Sequence, residues 1–117
     1  MPRILSVSYD GKLLATRQRI LENSGYSVAS ALGFEQALKH CHSGESFDVL
    51  LLGHSIPRAH KKILVAAFRA VCSGPVVALR KPFEANIEEA DFQVGAEPHE
   101  LLDLLAKITS ADKSITA

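Results

Sequence analysis

The sequence predicts one α/β domain, a five-stranded parallel sheet with the strand order 2-1-3-4-5 and helices on both faces. Five short runs of Val, Ile and Leu are apolar on consecutive residues, as in strands buried on both faces. Segments with apolar residues at helical spacing separate these runs. The length of 117 residues suits one domain with one continuous core.

Strands are predicted wherever aliphatic residues follow one another between turn-forming residues. The five segments are Arg3 to Val7, Tyr26 to Ala29, Asp48 to Leu52, Pro75 to Leu79 and Asp91 to Val94. Parallel strands need crossover connections, so a helix is expected between each consecutive pair.

Four segments have the periodicity of amphipathic helices. The apolar residues that mark them are Leu13, Leu14, Ile20 and Leu21 in the first, Phe34, Ala37, Leu38 and Cys41 in the second, Ile63, Leu64, Ala67, Phe68 and Val71 in the third, and Leu101, Leu104, Leu105 and Ile108 in the last. Pro98 falls in the opening turn of the last helix, a position that proline favours.

Two segments have weaker patterns. Only eleven residues run from Arg80 to Ala90, so the helix between strands 4 and 5 is predicted to be shortened to two turns at most. Residues from about Thr109 onward are polar and small, and we expect them to fray. We therefore predict a domain over residues 1–110 and a polar C-terminal tail over residues 111–117.

Five strands joined by right-handed crossovers correspond to a doubly wound, flavodoxin-like topology. In that topology the strand order reverses between strands 1 and 3, and ligands bind at the carboxyl ends of these strands. We expect any functional site there.

Composition restricts the classes of partner. Thirteen basic and thirteen acidic residues cancel and no basic cluster occurs, so direct binding to nucleic acid is not expected. No apolar run approaches the roughly 20 residues that span a bilayer, and no signal-peptide pattern precedes the first strand, so we expect a cytoplasmic protein without a membrane partner. Cys41 and Cys72 both fall on predicted helices, which fits reduced thiols.

Five stretches occur in a characteristic order: "RILSVSYD", "LENSGYSVASALGFEQALKH", "FDVLLLGHSIP", "GPVVAL", and "EEADFQV" followed by "HELLDLLAKI". In this order they resemble the CheY-like receiver domain of bacterial response regulators over nearly the whole chain. The most specific pieces are the LExxGY-like turn after the first helix and the DxxLL-to-Pro run through strand 3.

The resemblance implies a site of defined chemistry. In that family two acidic residues after strand 1 and an aspartate ending strand 3 bind Mg²⁺, and this aspartate accepts a phosphoryl group. A hydroxyl residue ending strand 4 and a lysine ending strand 5 contact the phosphoryl oxygens. Carried onto this sequence, the acidic pair falls on Ser8 and Tyr9, the acceptor on Gly53, the hydroxyl position on Arg80 and the lysine position on Gly95.

Four elements of the family's site are therefore missing together, and Ala96 replaces the usual proline after the lysine. Asp10 is the only acid left nearby. One carboxylate and a tyrosine hydroxyl hold Mg²⁺ poorly, and glycine cannot form an acyl phosphate. On this alignment we expect no metal, no cofactor and no phosphorylation by the family's mechanism.

A second register places the family's residues elsewhere. Lys81 in "RKPF" resembles the family's Lys-Pro-Phe signature, and Asp48 resembles an acceptor. Both fail on position: Asp48 begins strand 3 at the opposite edge of the sheet, and Lys81 follows strand 4 with another strand still to come.

The remaining candidate residues near the site each have alternative interpretations. Asp10 is either a surviving ligand or, more simply, a helix cap. His54 is a pH-sensing or anion-binding residue, or a solvated loop residue. Arg80 and Lys81 reverse the charge of the pocket and attract an anion or a partner's carboxylate, or they are solvated. Phe92 matches the family's aromatic switch position on strand 5, where it is locked in one rotamer or simply packed. It is also a candidate contact for a ligand or a partner.

No catalytic motif is present: the sequence lacks a GxSxG elbow, a Walker loop, a dinucleotide-binding glycine pattern and HExxH. His40-Cys41-His42 does not predict a metal site, because adjacent helical residues point in different directions. We therefore predict that the protein is not an enzyme.

The sequence favours a receiver-like domain that is not phosphorylated, a pseudo-receiver, which acts in bacterial signal transduction through protein–protein interaction. The expected partner is a signalling protein: a histidine kinase, another receiver or a regulator, or a second copy in a homodimer. The alternative is a regulatory domain that binds a small anionic ligand through Arg80, Lys81 and His54.

Overall fold

The computed structural model describes residues 2–54, 56–80, 90–95 and 97–116, and the side chains of Arg80 and of residues 110–116 lie outside that description. Within these residues strands and helices alternate along the chain. The elements are β1 (Arg3–Ser8), α1 (Gly11–Asn23), β2 (Ser27–Leu32), α2 (Phe34–His42), β3 (Val49–Leu52), α3 (Arg58–Val71), β4 (Val76–Arg80), β5 (Phe92–Gly95) and α4 (Pro98–Thr116).

The strands form one parallel sheet in the order β2-β1-β3-β4-β5, which confirms the predicted topology. β1 lies between β2 and β3, so Val7 faces Ala31 on one side and Leu52 on the other. All five predicted strands are present. β2 starts at Ser27 and continues to Leu32, because its ladder with β1 extends to the end of that strand.

Helices cover both faces of the sheet, which explains why the strands are apolar on consecutive residues. Along β3, Leu50 and Leu52 pack with residues of α2 and α3, whereas Val49 and Leu51 pack with residues of α1 and α4. All four side chains are at most 1% exposed. A strand buried on both sides has a fixed register, which fixes the residues at its carboxyl end.

The C-terminal segment differs from the expectation. α4 does not end near Thr109 but continues to Thr116. The hydroxyl of Thr109 donates to the carbonyl of Leu105 at 2.7 Å, so it is satisfied within the helix. Ala111 and Lys113 are good helix formers, which favours continuation. The division into a domain and a tail stays a prediction, and the shortened helix predicted between β4 and β5 falls on residues 81–89, outside the described residues.

Candidate functional site

The candidate site lies where β1 and β3 end side by side. Gly53 directly follows β3, and its backbone N–H donates to the carbonyl of Val7 at 2.9 Å. Asp48 lies at the other edge of the sheet, where its Oδ2 accepts from the backbone N–H of Arg3 at 2.7 Å. The carboxyl ends of β1 and β3 therefore meet beside Gly53, and Asp48 is excluded as a residue of this site.

Ser8, to which the resemblance assigns the first acidic position, forms hydrogen bonds within the turn that follows β1. Its side chain is fully buried. Its Oγ accepts from the backbone N–H of Asp10 at 3.0 Å and lies 3.3 Å from the carbonyl of Asp10, to which it donates. The hydroxyl thus orders the turn from β1 into α1.

Tyr9, to which the resemblance assigns the second acidic position, connects the end of β1 to α3. Its hydroxyl is hydrogen-bonded to Nδ1 of His60, and the His60 ring stacks on Phe34 with ring centroids 4.5 Å apart. Burial raises the pKa of the Tyr9 hydroxyl, which a hydrogen bond to the backbone of Phe34 partly opposes. Tyr9 therefore stays a neutral phenol that ties β1, α2 and α3 together.

Asp10 caps α1, which confirms the simpler of the two interpretations of this residue. Its Oδ1 accepts from the backbone N–H groups of Lys12 at 3.0 Å and Leu13 at 3.2 Å. These are two of the N–H groups that lack a partner at a helix start. The alternative interpretation, in which Asp10 is a surviving metal ligand, stays a prediction.

Arg17 is the residue of this site that sequence reasoning missed. It lies on the buried face of α1 between Leu14 and Leu21 and is only 9% exposed. Its guanidinium reaches the end of β3, where Nη1 lies 2.9 Å from the place that a Cβ of Gly53 would take. A cation thus lies next to the position to which the resemblance assigns the acceptor carboxylate.

The guanidinium is incompletely paired. Nη1 is buried and has no hydrogen-bond partner among the described residues. Burial lowers the pKa of Arg17, an effect that the negative charge of Asp10 partly opposes. Even so, an arginine stays protonated in proteins. The sequence signal was available, because an arginine three residues after Leu14 and four before Leu21 falls on the apolar stripe of the helix.

The ends of β4 and β5 form the other side of the expected site. Arg80 and Gly95 are paired across the two strands, which places both positions at one level. A Cβ at Gly95 would lie 2.7 Å from Oε2 of Glu100 in the first turn of α4, so a carboxylate lies beside the position to which the resemblance assigns the family's lysine. The side chain of Arg80, together with Lys81 and Ala96, lies outside the described residues, so the anion pocket predicted from Arg80 and Lys81 stays untested.

The two other predicted contact residues lie apart from each other. His54 follows Gly53 and is partly buried. Phe92 is 38% exposed and pairs with Val77 at the start of β5, three residues before Gly95 and so roughly 10 Å from the end of that strand. For both residues, contact with a ligand or a partner stays a prediction.

Within the described part of the chain, no group of three or more His, Cys, Asp or Glu side chains is arranged to hold a metal ion. Over the same residues no helix combines the length and apolar character that a membrane crossing requires. Within the His40-Cys41-His42 segment, His40 lies close to Glu45, with Nδ1 and Oε2 3.3 Å apart.

Comparison with known structures identifies the architecture. A two-component response regulator from Clostridium difficile superimposes with a TM-score of 0.78 at 21% identity, covering 100% of both chains. The chain has the fold of a response-regulator receiver domain. TrrA of Thermotoga maritima has the same receiver fold; its structure with Mg²⁺–BeF superimposes with a TM-score of 0.75 at 21% identity, covering 92% of this chain and 99% of that one. TrrA has also been solved in complex with the histidine kinase ThkA, with a TM-score of 0.74 at 21% identity, covering 92% of this chain and 98% of that one.

Sequence comparison finds two related transcriptional regulatory proteins. The transcriptional regulatory protein PrrA of Mycobacterium tuberculosis and that of Mycobacterium bovis are each 29% identical over 113 residues. The alignment covers 92% of this chain and 48% of PrrA, so the chain spans about half the length of these relatives. No family model matches the chain. These comparisons support the receiver resemblance seen in the sequence.

Proposed function

We propose that this receiver-fold domain is not phosphorylated and acts in bacterial two-component signalling by binding another signalling protein. The observation that carries the proposal is Gly53 at the carboxyl end of β3, where its backbone N–H donates to the carbonyl of Val7 and the residue has no side chain. An acyl phosphate forms on a carboxylate oxygen, and glycine has no side chain on which to form it.

The surrounding groups oppose the family's chemistry in a second way. Mg²⁺ needs several oxygen ligands. The Ser8 hydroxyl is engaged in its turn, and the Tyr9 hydroxyl is hydrogen-bonded to His60. The guanidinium of Arg17 adds a positive charge beside Gly53, which repels a divalent cation. Loss of the acceptor and loss of the metal ligands therefore act together.

Incubation with acetyl phosphate and Mg²⁺, followed by intact-mass spectrometry, tests this part. We expect no species heavier by one phosphoryl group, whereas TrrA treated in the same way serves as a positive control. An adduct in the native protein that hydroxylamine removes would indicate an acyl phosphate and would contradict the proposal.

The second part concerns the partner. The structure of TrrA with the histidine kinase ThkA shows that a protein of this fold can bind a kinase. A histidine kinase, another receiver or a regulator is the corresponding partner class here, and self-association is an alternative. We also propose that the domain is cytoplasmic, has no enzymatic activity and needs no cofactor.

Binding assays with purified histidine kinases and receivers from the same organism test the partner class, and analytical ultracentrifugation tests self-association. We expect saturable binding. Its affinity should not change when this domain is treated with acetyl phosphate before it is mixed with the partner. Affinity that rises after acetyl phosphate treatment of this domain alone would contradict the proposed mode of action.

A further inference from the structure

The outer edge of β2 has backbone groups that no other strand pairs. β2 lies at one end of the sheet, and β1 is its one neighbour in the sheet that the structure describes. The N–H groups of Ser27 and Gly33 donate to carbonyls on the side of β1, so the alternate residues Val28 and Ser30 direct their N–H and C=O groups away from the sheet. These outward backbone groups have no hydrogen-bond partner in the described part of the chain. Such an edge can pair with another strand.

The neighbouring helices leave the middle of this edge open. The N–H of Leu32, at the end of β2, donates to Oε1 of Gln36 at 2.9 Å. The Ser30 hydroxyl donates to Oε1 of Gln18 in α1 at 2.8 Å, so this side chain is directed to the helix rather than to the edge. The open donors and acceptors are therefore the backbone groups of Val28 and Ser30.

β2 lacks the features that usually protect a sheet edge from pairing. Charged residues, proline, a bulge or a very short strand generally prevent edge-to-edge contact. The sequence of β2, SVASAL, contains no charge and no proline, and all six residues pair one-to-one with β1, so the strand has no bulge. Leu32 is 45% exposed, which adds an apolar side chain to this edge. An uncharged strand does not repel a second copy of itself.

The open groups are also arranged for pairing about a two-fold axis. If a second β2 runs antiparallel with Ala29 opposite Ala29, Val28 of one copy faces Ser30 of the other. In an antiparallel ladder such a pair exchanges both of its N–H···O bonds, and the two-fold axis creates the pair twice. Side chains approach most closely at the pair on the axis, which here consists of two alanine methyl groups. Every open group is then satisfied in a closed, isologous dimer.

We propose that the outer edge of β2 is a self-association surface, through which two copies of this domain form an antiparallel β2–β2 pair and one continuous sheet. This deepens the proposed function and rests on it for the mode of action, since the signalling protein that is bound is a second copy. A two-fold axis perpendicular to the sheet places α1 beside α1 and α2 beside α2. β4 and β5, at the other end of the sheet, stay outside this interface.

Sedimentation equilibrium and amide hydrogen exchange by NMR test the proposal on the full chain. Sedimentation should show a monomer–dimer equilibrium with a Kd in the micromolar range, because a small interface gives weak association. The amides of Val28 and Ser30 should exchange quickly in the monomer. At a protein concentration about tenfold above Kd their exchange should slow by about threefold or more. The amide of Ala59, at the uncapped start of α3, should exchange at the same rate at all concentrations.

Ser30→Pro is the variant that tests the surface, because proline removes the outward N–H without breaking a hydrogen bond to β1. It should weaken the dimer by about tenfold or more. Ser30→Ala is the matched control: it removes the same hydroxyl and the bond to Gln18 but keeps the N–H, so it should dimerise like the native protein. Circular dichroism checks that both variants are folded, and if Ser30→Pro is not, the exchange measurement on the native protein decides.

A native protein that stays monomeric up to about 1 mM would overturn the proposal. So would a dimer in which the exchange of Val28 and Ser30 does not depend on concentration, or a folded Ser30→Pro variant that dimerises as tightly as the native protein. Protection of these two amides that appears only when a purified histidine kinase is added would overturn the second copy as the occupant of the edge. A monomer that binds another signalling protein would contradict this inference and leave the proposed function standing, so the two failures are distinguishable.

Discussion

Replacing Arg17 by methionine is expected to stabilise the domain. Arg17 is 9% exposed, and its Nη1 has no hydrogen-bond partner among the described residues. Met keeps an unbranched side chain of similar length that can pack between Leu14 and Leu21 while it removes the charge. The substitution therefore separates the cost of the buried guanidinium from the packing of its aliphatic part.

The size of the effect follows from the unpaired donor. A buried polar group without a partner costs about 1–3 kcal/mol, and apolar replacement of buried charged groups often stabilises by about 1–4 kcal/mol. We expect the free energy of unfolding to rise by about 2 kcal/mol. For a domain of this size that corresponds to a Tm higher by about 8 °C.

Urea denaturation followed by circular dichroism measures this change, with Arg19→Met as the control, since Arg19 is exposed on the same helix and its loss removes the same charge. At an m-value of about 1.5 kcal/mol/M the midpoint of Arg17→Met should rise by roughly 1 M, and that of Arg19→Met should hardly move. A loss of about 1 kcal/mol or more in Arg17→Met would refute the reasoning, because it would mean that the guanidinium is paired and contributes to stability.

Two further predictions concern stability. Asp10→Ala should destabilise the domain by about 1 kcal/mol through loss of the α1 cap, whereas Asp10→Asn should retain most of the stability; equal losses in a thermal melt would contradict the capping role. Burial raises the pKa of the Cys41 thiol above its ordinary value of 9.0, so the unfolded chain releases this proton first and stability should fall as the pH rises past that value. Cys41→Ala should weaken this pH dependence in urea melts at pH 8 to 10, and an unchanged slope would contradict it.

The sequence predicted the sheet and its order because both depend on strong local signals. β3 is apolar at four successive positions and buried on both faces. This run of consecutive apolar residues was enough to predict the strand and its end at Leu52. The end of β3 then located Gly53, and the cap at Asp10 followed from its place before α1.

The contacts of the site were harder to predict, because they join residues far apart in the chain. The hydrogen bond between Tyr9 and His60 spans 51 positions, and no periodicity links the two residues. Arg17 was overlooked since only apolar residues were used to define the buried face of α1. The approach of Glu100 to Gly95 depends on how α4 packs after β5.

The proposed function requires that the site at the ends of β1 and β3 neither binds Mg²⁺ nor accepts a phosphoryl group. Titration of ¹⁵N-labelled protein with Mg²⁺ and beryllofluoride tests both properties at the amides of Ser8 and Gly53. We expect no saturable shift at either amide. Saturable, Mg²⁺-dependent shifts at these residues that beryllofluoride enhances would contradict it.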